Sequence, residues 1–137
     1  MTFVETARQL AYKAHEGQYR RGGKHFMVHP SRVAEEVHTD IQKAVAFLHD
    51  TLEMTNLTVE AMRAAEIPLE VVVAVEAMTR KDGETYLDYI RRCKLDPDAR
   101  AVKIADIRDN LMDMPTNTMI VRYGKALEIL LQDDTPT

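Results

Sequence analysis

Cysteine is almost missing from this 137-residue chain. A single thiol, Cys93, excludes an intramolecular disulfide framework and suits a reducing compartment. Long apolar runs are missing as well: no stretch approaches the roughly 20 apolar residues of a membrane span, and the start, Met1-Thr2-Phe3-Val4-Glu5, has no basic region leading into an apolar one. A cytoplasmic protein without membrane attachment is the expectation. Glycine and proline number only five each, and alternating apolar-polar runs are nearly absent, which argues against a sheet and leaves an all-α domain. Positive charge is not in excess either. With 18 Lys+Arg against 22 Asp+Glu the net charge is −4, so nothing draws the chain to a nucleic acid polymer, and an anionic ligand must be met locally. No repeat or low-complexity segment breaks the chain, whose length suits one domain over residues 1–137, with 132–137 as a loose tail.

What is present centres on Ala46-Phe47-Leu48-His49-Asp50-Thr51-Leu52-Glu53. Read as one helix, capped by Asp40 and fraying near Met54, it puts Ala46, His49, Asp50 and Glu53 on one stripe. The neighbouring stripe, Ile41, Ala44, Val45, Leu48 and Leu52, is apolar and suits a core. A His-Asp-Glu cluster at the edge of a buried face is costly unless something satisfies it. Before this stretch, Thr2 caps a helix from Phe3 to about Glu16, whose end places His15 as a C-terminal dipole partner. The segment Gln18 to His25 holds Arg20, Arg21 and Lys24 around Gly22 and Gly23, which reads either as a solvated turn or as an anion-binding loop with arginine forks. His29 stands just outside a helix that runs from Ser31 to about His38, with Pro30 in its first turn.

After the central stretch come a short helix opened by Thr58, an apolar helix Leu69 to Met78 started by Pro68, and an amphipathic helix Glu84 to Arg92 ending near an idle Cys93. The apolar stretch Ala101 to Ile107 then calls for a helix through the core, in which Asp106 is an intruder. A carboxylate there must be paired or must coordinate metal. Lys103 at i−3 is one partner, and Asn110 at i+4 can orient the carboxylate or a ligand. A last helix, about Met119 to Leu131, packs through Ile120, Tyr123, Ala126, Leu127, Leu130 and Leu131.

If His29, His49, Asp50 and Asp106 converge, two imidazoles and two carboxylates make a mixed N/O site for one divalent first-row metal such as Mn, Fe or Zn, with positions left open for water or a phosphoryl oxygen. Glu53 could then take a proton from water, and the basic loop would face a phosphorylated substrate. The order His29-Pro30, His49-Asp50-Thr51-Leu52-Glu53 and Lys103-Ile104-Ala105-Asp106-Ile107-Arg108-Asp109-Asn110 resembles the H…HD…D signature of the HD-domain metal-dependent phosphohydrolases. With Ala14-His15-Glu16-Gly17-Gln18 and Arg20-Arg21-Gly22-Gly23, it is similar above all to the (p)ppGpp 3′-pyrophosphohydrolases of the stringent response. The resemblance covers most of residues 5 to 131.

It implies a bundle of about seven helices, a metal, manganese first and iron or zinc as alternatives, held by His29, His49, Asp50 and Asp106, and water activation by Glu53. It also implies nucleotide contacts from Arg20 and Asn110, with Arg21 and Lys24 adding charge, and a small phosphorylated nucleotide as partner. One position departs. The family's acidic pair is Glu-Asp, and here it is Glu53-Met54. A thioether neither accepts a proton nor holds a charge, so three function classes follow: an alarmone hydrolase or a nucleotidase acting on another phosphorylated nucleotide, a metal-retaining nucleotide-binding module with weak or lost hydrolysis, and a helical interaction domain with buried ion pairs.

Overall fold

A computed structural model describes residues 1–133. Nine helical elements follow one another among these residues: α1 (Phe3–Ala14), α2 (Val28–Glu36), α3 (Asp40–Leu48), α4 (Thr51–Met54), α5 (Val59–Ala64), α6 (Leu69–Ala77), α7 (Tyr86–Lys94), α8 (Pro97–Leu111) and α9 (Asn117–Leu131). The all-α architecture is the expected one. The count exceeds seven partly because the central helix is divided in two at His49-Asp50. Gln132 and Asp133 follow α9 outside any helix, and the rest of the expected tail lies outside the described residues. None of the described helices is long and apolar enough to cross a membrane.

Side-chain oxygens start most of these helices. Thr2, Thr39, Thr58, Thr85, Asp96 and Thr116 each accept from a backbone N–H in the first turn that follows. The cap of α3 is therefore Thr39 and not the expected Asp40, because Thr39 holds the extended backbone a cap needs while Asp40 is already helical and adds its charge to the positive end of the dipole.

Helix α3 is the hub, packed on α1, α2, α6 and α8. It buries Ala44, Val45, Ala46 and Leu48, and α1 buries Ala7 and Ala11; such small side chains let helices approach closely. These residues, with Val33, Met62, Val71, Val75 and Val102, form the main core. A second cluster, Tyr89, Ile90, Ile107, Ala126 and Leu130, joins α7, α8 and α9. Helix α8 borders both and so runs through the interior, as its apolar stretch implies.

On two helices the buried face is set by packing. Helix α6 buries Val71, Val72, Ala74 and Val75 and leaves Leu69 and Val73 exposed, since a run apolar on every side carries no periodic mark of its inner face. Ile120 and Leu131 of α9, expected to pack inward, are exposed, since α9 rests mainly on α7 and α8 and buries Ala126 and Leu130.

Ala44→Leu, at the fully buried hub, is expected to lower stability by about 1–3 kcal/mol through overpacking. Thr39→Gly should cost only a few tenths. Urea unfolding midpoints compare the two.

Candidate metal centre

Three segments deliver the cluster. His29 lies inside the first turn of α2, not before it, with its N–H on the Phe26 carbonyl at 3.2 Å. The tight turns that follow Phe26 let the helix begin earlier than Pro30 suggested, and proline is tolerated there because first-turn N–H groups have no helical partner. His49 and Asp50 occupy the break between α3 and α4. The cause is local competition for carbonyls. His49 Nδ1 donates to Ala46 O at 2.6 Å and Thr51 Oγ1 donates to Leu48 O at 2.7 Å, engaging the acceptors that an uninterrupted helix would offer to Asp50 and Leu52. Asp106 comes from the middle of α8.

The Asp106 carboxylate gathers the site. Its Oδ1 lies 2.7 Å from His29 Nε2 and 3.2 Å from His49 Nε2, while Lys103 Nζ meets Oδ2 at 2.9 Å. Both expected partners are thus present at once, a lysine on one oxygen and two imidazoles on the other. One ligand atom from each of His29, His49 and Asp106 can be chosen so that all lie within 4.8 Å of one another. Asp50 flanks them on a more open side: Oδ2 is 3.2 Å from His49 Nε2 and 3.9 Å from His29 Nε2, and a quarter of the side chain is exposed.

Both rings are oriented from behind. His29 Nδ1 donates to Asp109 Oδ2 at 2.6 Å, and His49 Nδ1 donates to the Ala46 carbonyl. Each ring therefore turns Nε2 toward the carboxylates, the arrangement in which an outer hydrogen bond fixes the tautomer of a metal-binding histidine. Asp109 escaped the sequence reading. Its signal was available, an acid one turn after Asp106 on a core helix, and Arg32 holds its other oxygen at 2.8 Å.

The charges follow this packing. Burial alone would raise the Asp106 carboxyl, yet Lys103, His49 and His29 hold it well below the usual carboxylate range. Burial opposes charge on His49, yet Asp50 and Asp106 outweigh it and raise the imidazole well above its ordinary value. Asp50 is lowered in spite of burial, chiefly by His49. A buried set of this kind, acid-rich and with two nitrogens turned inward, fits a divalent first-row cation.

The nucleotide-binding candidates divide. Asn110 Nδ2 donates to Asp106 Oδ1 at 3.3 Å, and Asn110 Oδ1 accepts from Arg20 Nη2 at 3.0 Å, so the loop is joined to the cluster across 90 residues of sequence. Arg20 also pairs with Asp113 at 3.1 Å. Arg21 donates to the Asp113 carbonyl at 3.3 Å. Both arginines line an open cleft of about 450 Å³ with Gln18, Tyr19, Phe26, Met54 and Asp113, whereas Lys24 is exposed and is not part of that wall. Glu53 is exposed past the break, and its Oε1 accepts from the Arg80 amide at 2.7 Å.

Two remaining candidates resolve. His15 is no charged dipole partner: it is fully buried, stacked on Phe26 at 4.3 Å, bonded through Nδ1 to Gln18 and depressed in pKa by burial. Cys93 is buried, and that burial pushes its thiol up to about 12, which makes it inert as a nucleophile.

No family model matches the chain. It is 34% identical, over 95% of its length, to a probable GTP pyrophosphokinase of Mycobacterium leprae. It is 29% identical, over 79% of its length, to a guanosine-3′,5′-bis(diphosphate) 3′-pyrophosphohydrolase of Aquifex aeolicus. The chain spans only 18% and 17% of these two relatives. In structure it is similar to a metazoan ortholog of SpoT described as hydrolyzing ppGpp, with a TM-score of 0.78 at 21% identity, over 95% of this chain and 86% of that one. Sequence and fold therefore both agree with the resemblance carried by the motifs.

Asp109→Asn, which weakens the acceptor behind His29, is expected to lower divalent metal affinity by roughly 10–100-fold while the helical content stays unchanged. Metal titration followed by calorimetry, with circular dichroism alongside, checks it.

Proposed function

We propose that this chain, close in sequence and fold to the (p)ppGpp hydrolase branch of the HD-domain proteins, is a metal-dependent phosphohydrolase whose favoured substrate is a guanosine 3′-diphosphate of the ppGpp type. The observation that carries the reading is the convergence of His29 Nε2, His49 Nε2 and Asp106 Oδ1 from three segments, with both Nδ1 atoms turned to outer acceptors. His29, His49, Asp50 and Asp106 would hold one divalent ion, manganese by preference and iron or zinc as alternatives. Such an ion, when bound, supplies a Lewis acid for a phosphoryl oxygen and for water.

The chain's own residues supply the rest. Asp50 borders the site on its more open side. Glu53 is assigned the role of proton acceptor, with one oxygen steadied by Arg80 and the other available. Arg20 and Asn110 reach from the cleft to the cluster and are assigned to the nucleotide, and Arg21 adds charge at the rim. Lys103 keeps Asp106 ionised without using the oxygen that faces the histidines.

A second reading is favoured by one observation. Met54 is 48% exposed on the cleft wall, so a thioether and not a carboxylate meets whatever enters. A metal-retaining nucleotide-binding module with weak hydrolysis is the alternative that this position supports.

Metal analysis joined to a nucleotide screen, with ppGpp and simple 5′-monophosphates tested with and without manganese, addresses the first reading. About one bound metal per chain and metal-dependent turnover are expected, both lost in Asp106→Ala; full activity in a metal-free Asp106→Ala variant would end the proposal. Met54→Asp separates the two readings. A rise in kcat of roughly 10²-fold or more is the result expected of a chain weakened by the missing carboxylate, whereas an unchanged kcat means that Met54 is compatible with the native reaction.

A further inference from the structure

Helix α6 has no basic residue in its last turn, and the carbonyls at and just past its end are met from α7. Arg92 Nη2 donates to Thr79 O at 2.9 Å, Arg92 Nη1 to Ala77 O at 3.3 Å, and the Tyr89 hydroxyl to Met78 O at 2.6 Å. Capping α6 needs no more than this. The same guanidinium also grips Glu84, with Nε on Oε2 at 2.9 Å and Nη2 on Oε1 at 3.0 Å. The two side chains are only 25% and 15% exposed, unlike the solvated pairs that contribute little. Hydrogen bonding from Arg92 pulls the Glu84 carboxyl down to about 2, so the pair stays charged at neutral pH. Glu84 in turn folds the loop between α6 and α7 back on itself: its Oε1 accepts from the Lys81 amide at 3.1 Å and its carbonyl from Arg80 Nε at 2.9 Å. What this loop turns toward α4 is the Arg80 amide, 2.7 Å from Glu53 Oε1. Among the described residues it is the one donor to that carboxylate, which stands on a four-residue helix past the His49-Asp50 break.

Resting on the reading of Glu53 as proton acceptor, we infer that Arg92 and Glu84 are positioning residues for the hydrolytic step: they lock the loop whose Arg80 amide aims the Glu53 carboxylate. A general base works only within hydrogen-bond reach of the proton it takes, and a misplacement of about 1 Å can cost as much as 10²-fold in rate. A backbone donor suits this task because it moves only with its loop. Held by one oxygen, Glu53 keeps the other for the proton. The lock depends on the fork of an arginine. A lysine at position 92 would keep positive charge at the end of α6, yet a point charge cannot serve both Glu84 oxygens and the Ala77 and Thr79 carbonyls together. Arg92 and Glu84 thus act on the reaction through Arg80 and Glu53 and touch no reacting atom.

Three variants of the full chain test this: Arg92→Lys, which keeps the charge and loses the fork, Glu84→Gln, which keeps the shape and loses the ion pair, and Glu53→Gln. Turnover of ppGpp with manganese is read for each and for Arg92→Lys combined with Glu53→Gln, with metal titration and circular dichroism as checks of the centre and the fold. Hydrogen exchange of the Arg80 amide, followed by NMR in the chain without added metal, is a readout independent of activity. Glu53→Gln is expected to lower kcat by roughly 10²-fold or more. Arg92→Lys and Glu84→Gln should each lower kcat by about tenfold, with KM within about twofold, and speed exchange at Arg80 by about tenfold. In Glu53→Gln protein, Arg92→Lys should change kcat by less than about twofold, because the group it positions is already lost. Should Arg92→Lys fail to fold, Glu84→Gln takes its place in both backgrounds. An equal loss in both backgrounds overturns the inference alone, as does an unchanged kcat in the single variants or an Arg80 amide whose exchange neither variant alters. An unchanged kcat in Glu53→Gln removes Glu53 from the reaction, and this inference with it. No manganese-dependent turnover by the unaltered chain overturns the phosphohydrolase reading as a whole, this inference included.

Discussion

The structure depends on one carboxylate. Asp106 is buried in the helix that borders both cores, where an ionised group without partners costs several kcal/mol. Four side chains from three segments answer it: His29 from α2, His49 from the α3–α4 break, and Lys103 and Asn110 from its own helix. The contacts that neutralise Asp106 are also the ones that fix where α2 and α3 lie against α8. Removing one member of such a buried set leaves a charge exposed to low dielectric, so fold and site are energetically one object.

From this centre the chemistry spreads in two directions. Behind the histidines, Asp109 with Arg32, and the Ala46 carbonyl, set ring orientation, so that the nitrogens left over point at the carboxylates. In front, Asn110 carries the connection to Arg20, and Arg20 to Asp113, which brings a loop near residue 20 beside the end of α8. The basic loop is therefore balanced by acid within its own cleft.

Met54 belongs to the same account. It follows Glu53 at the end of α4, and its carbonyl accepts from Gln18, whose amide oxygen accepts from buried His15. The backbone at this position is thus tied firmly to the end of α1, while the side chain supplies apolar surface where the motif resemblance implies an acid. A thioether there offers contact area and no proton acceptor.

The sequence by itself determined the helical class, the caps at Thr2 and Thr58 and the intrusion of Asp106 into an apolar helix. Those features are local: periodicity, capping chemistry and the cost of a buried charge are set by residues within a few turns. It misread the inner face of α9, the role of His15 at the end of α1 and the continuity of the central helix, because burial depends on which neighbours arrive. The break at His49-Asp50 follows from side-chain donors engaging carbonyls once the ring is packed. Only the tertiary structure decided that Asp109 backs His29, that Lys103 and the histidines share Asp106 without competing, and that Arg20 meets Asp113 across 93 residues. Each is a contact between distant segments, fixed by how the helices pack and not by the spacing of residues along any one of them.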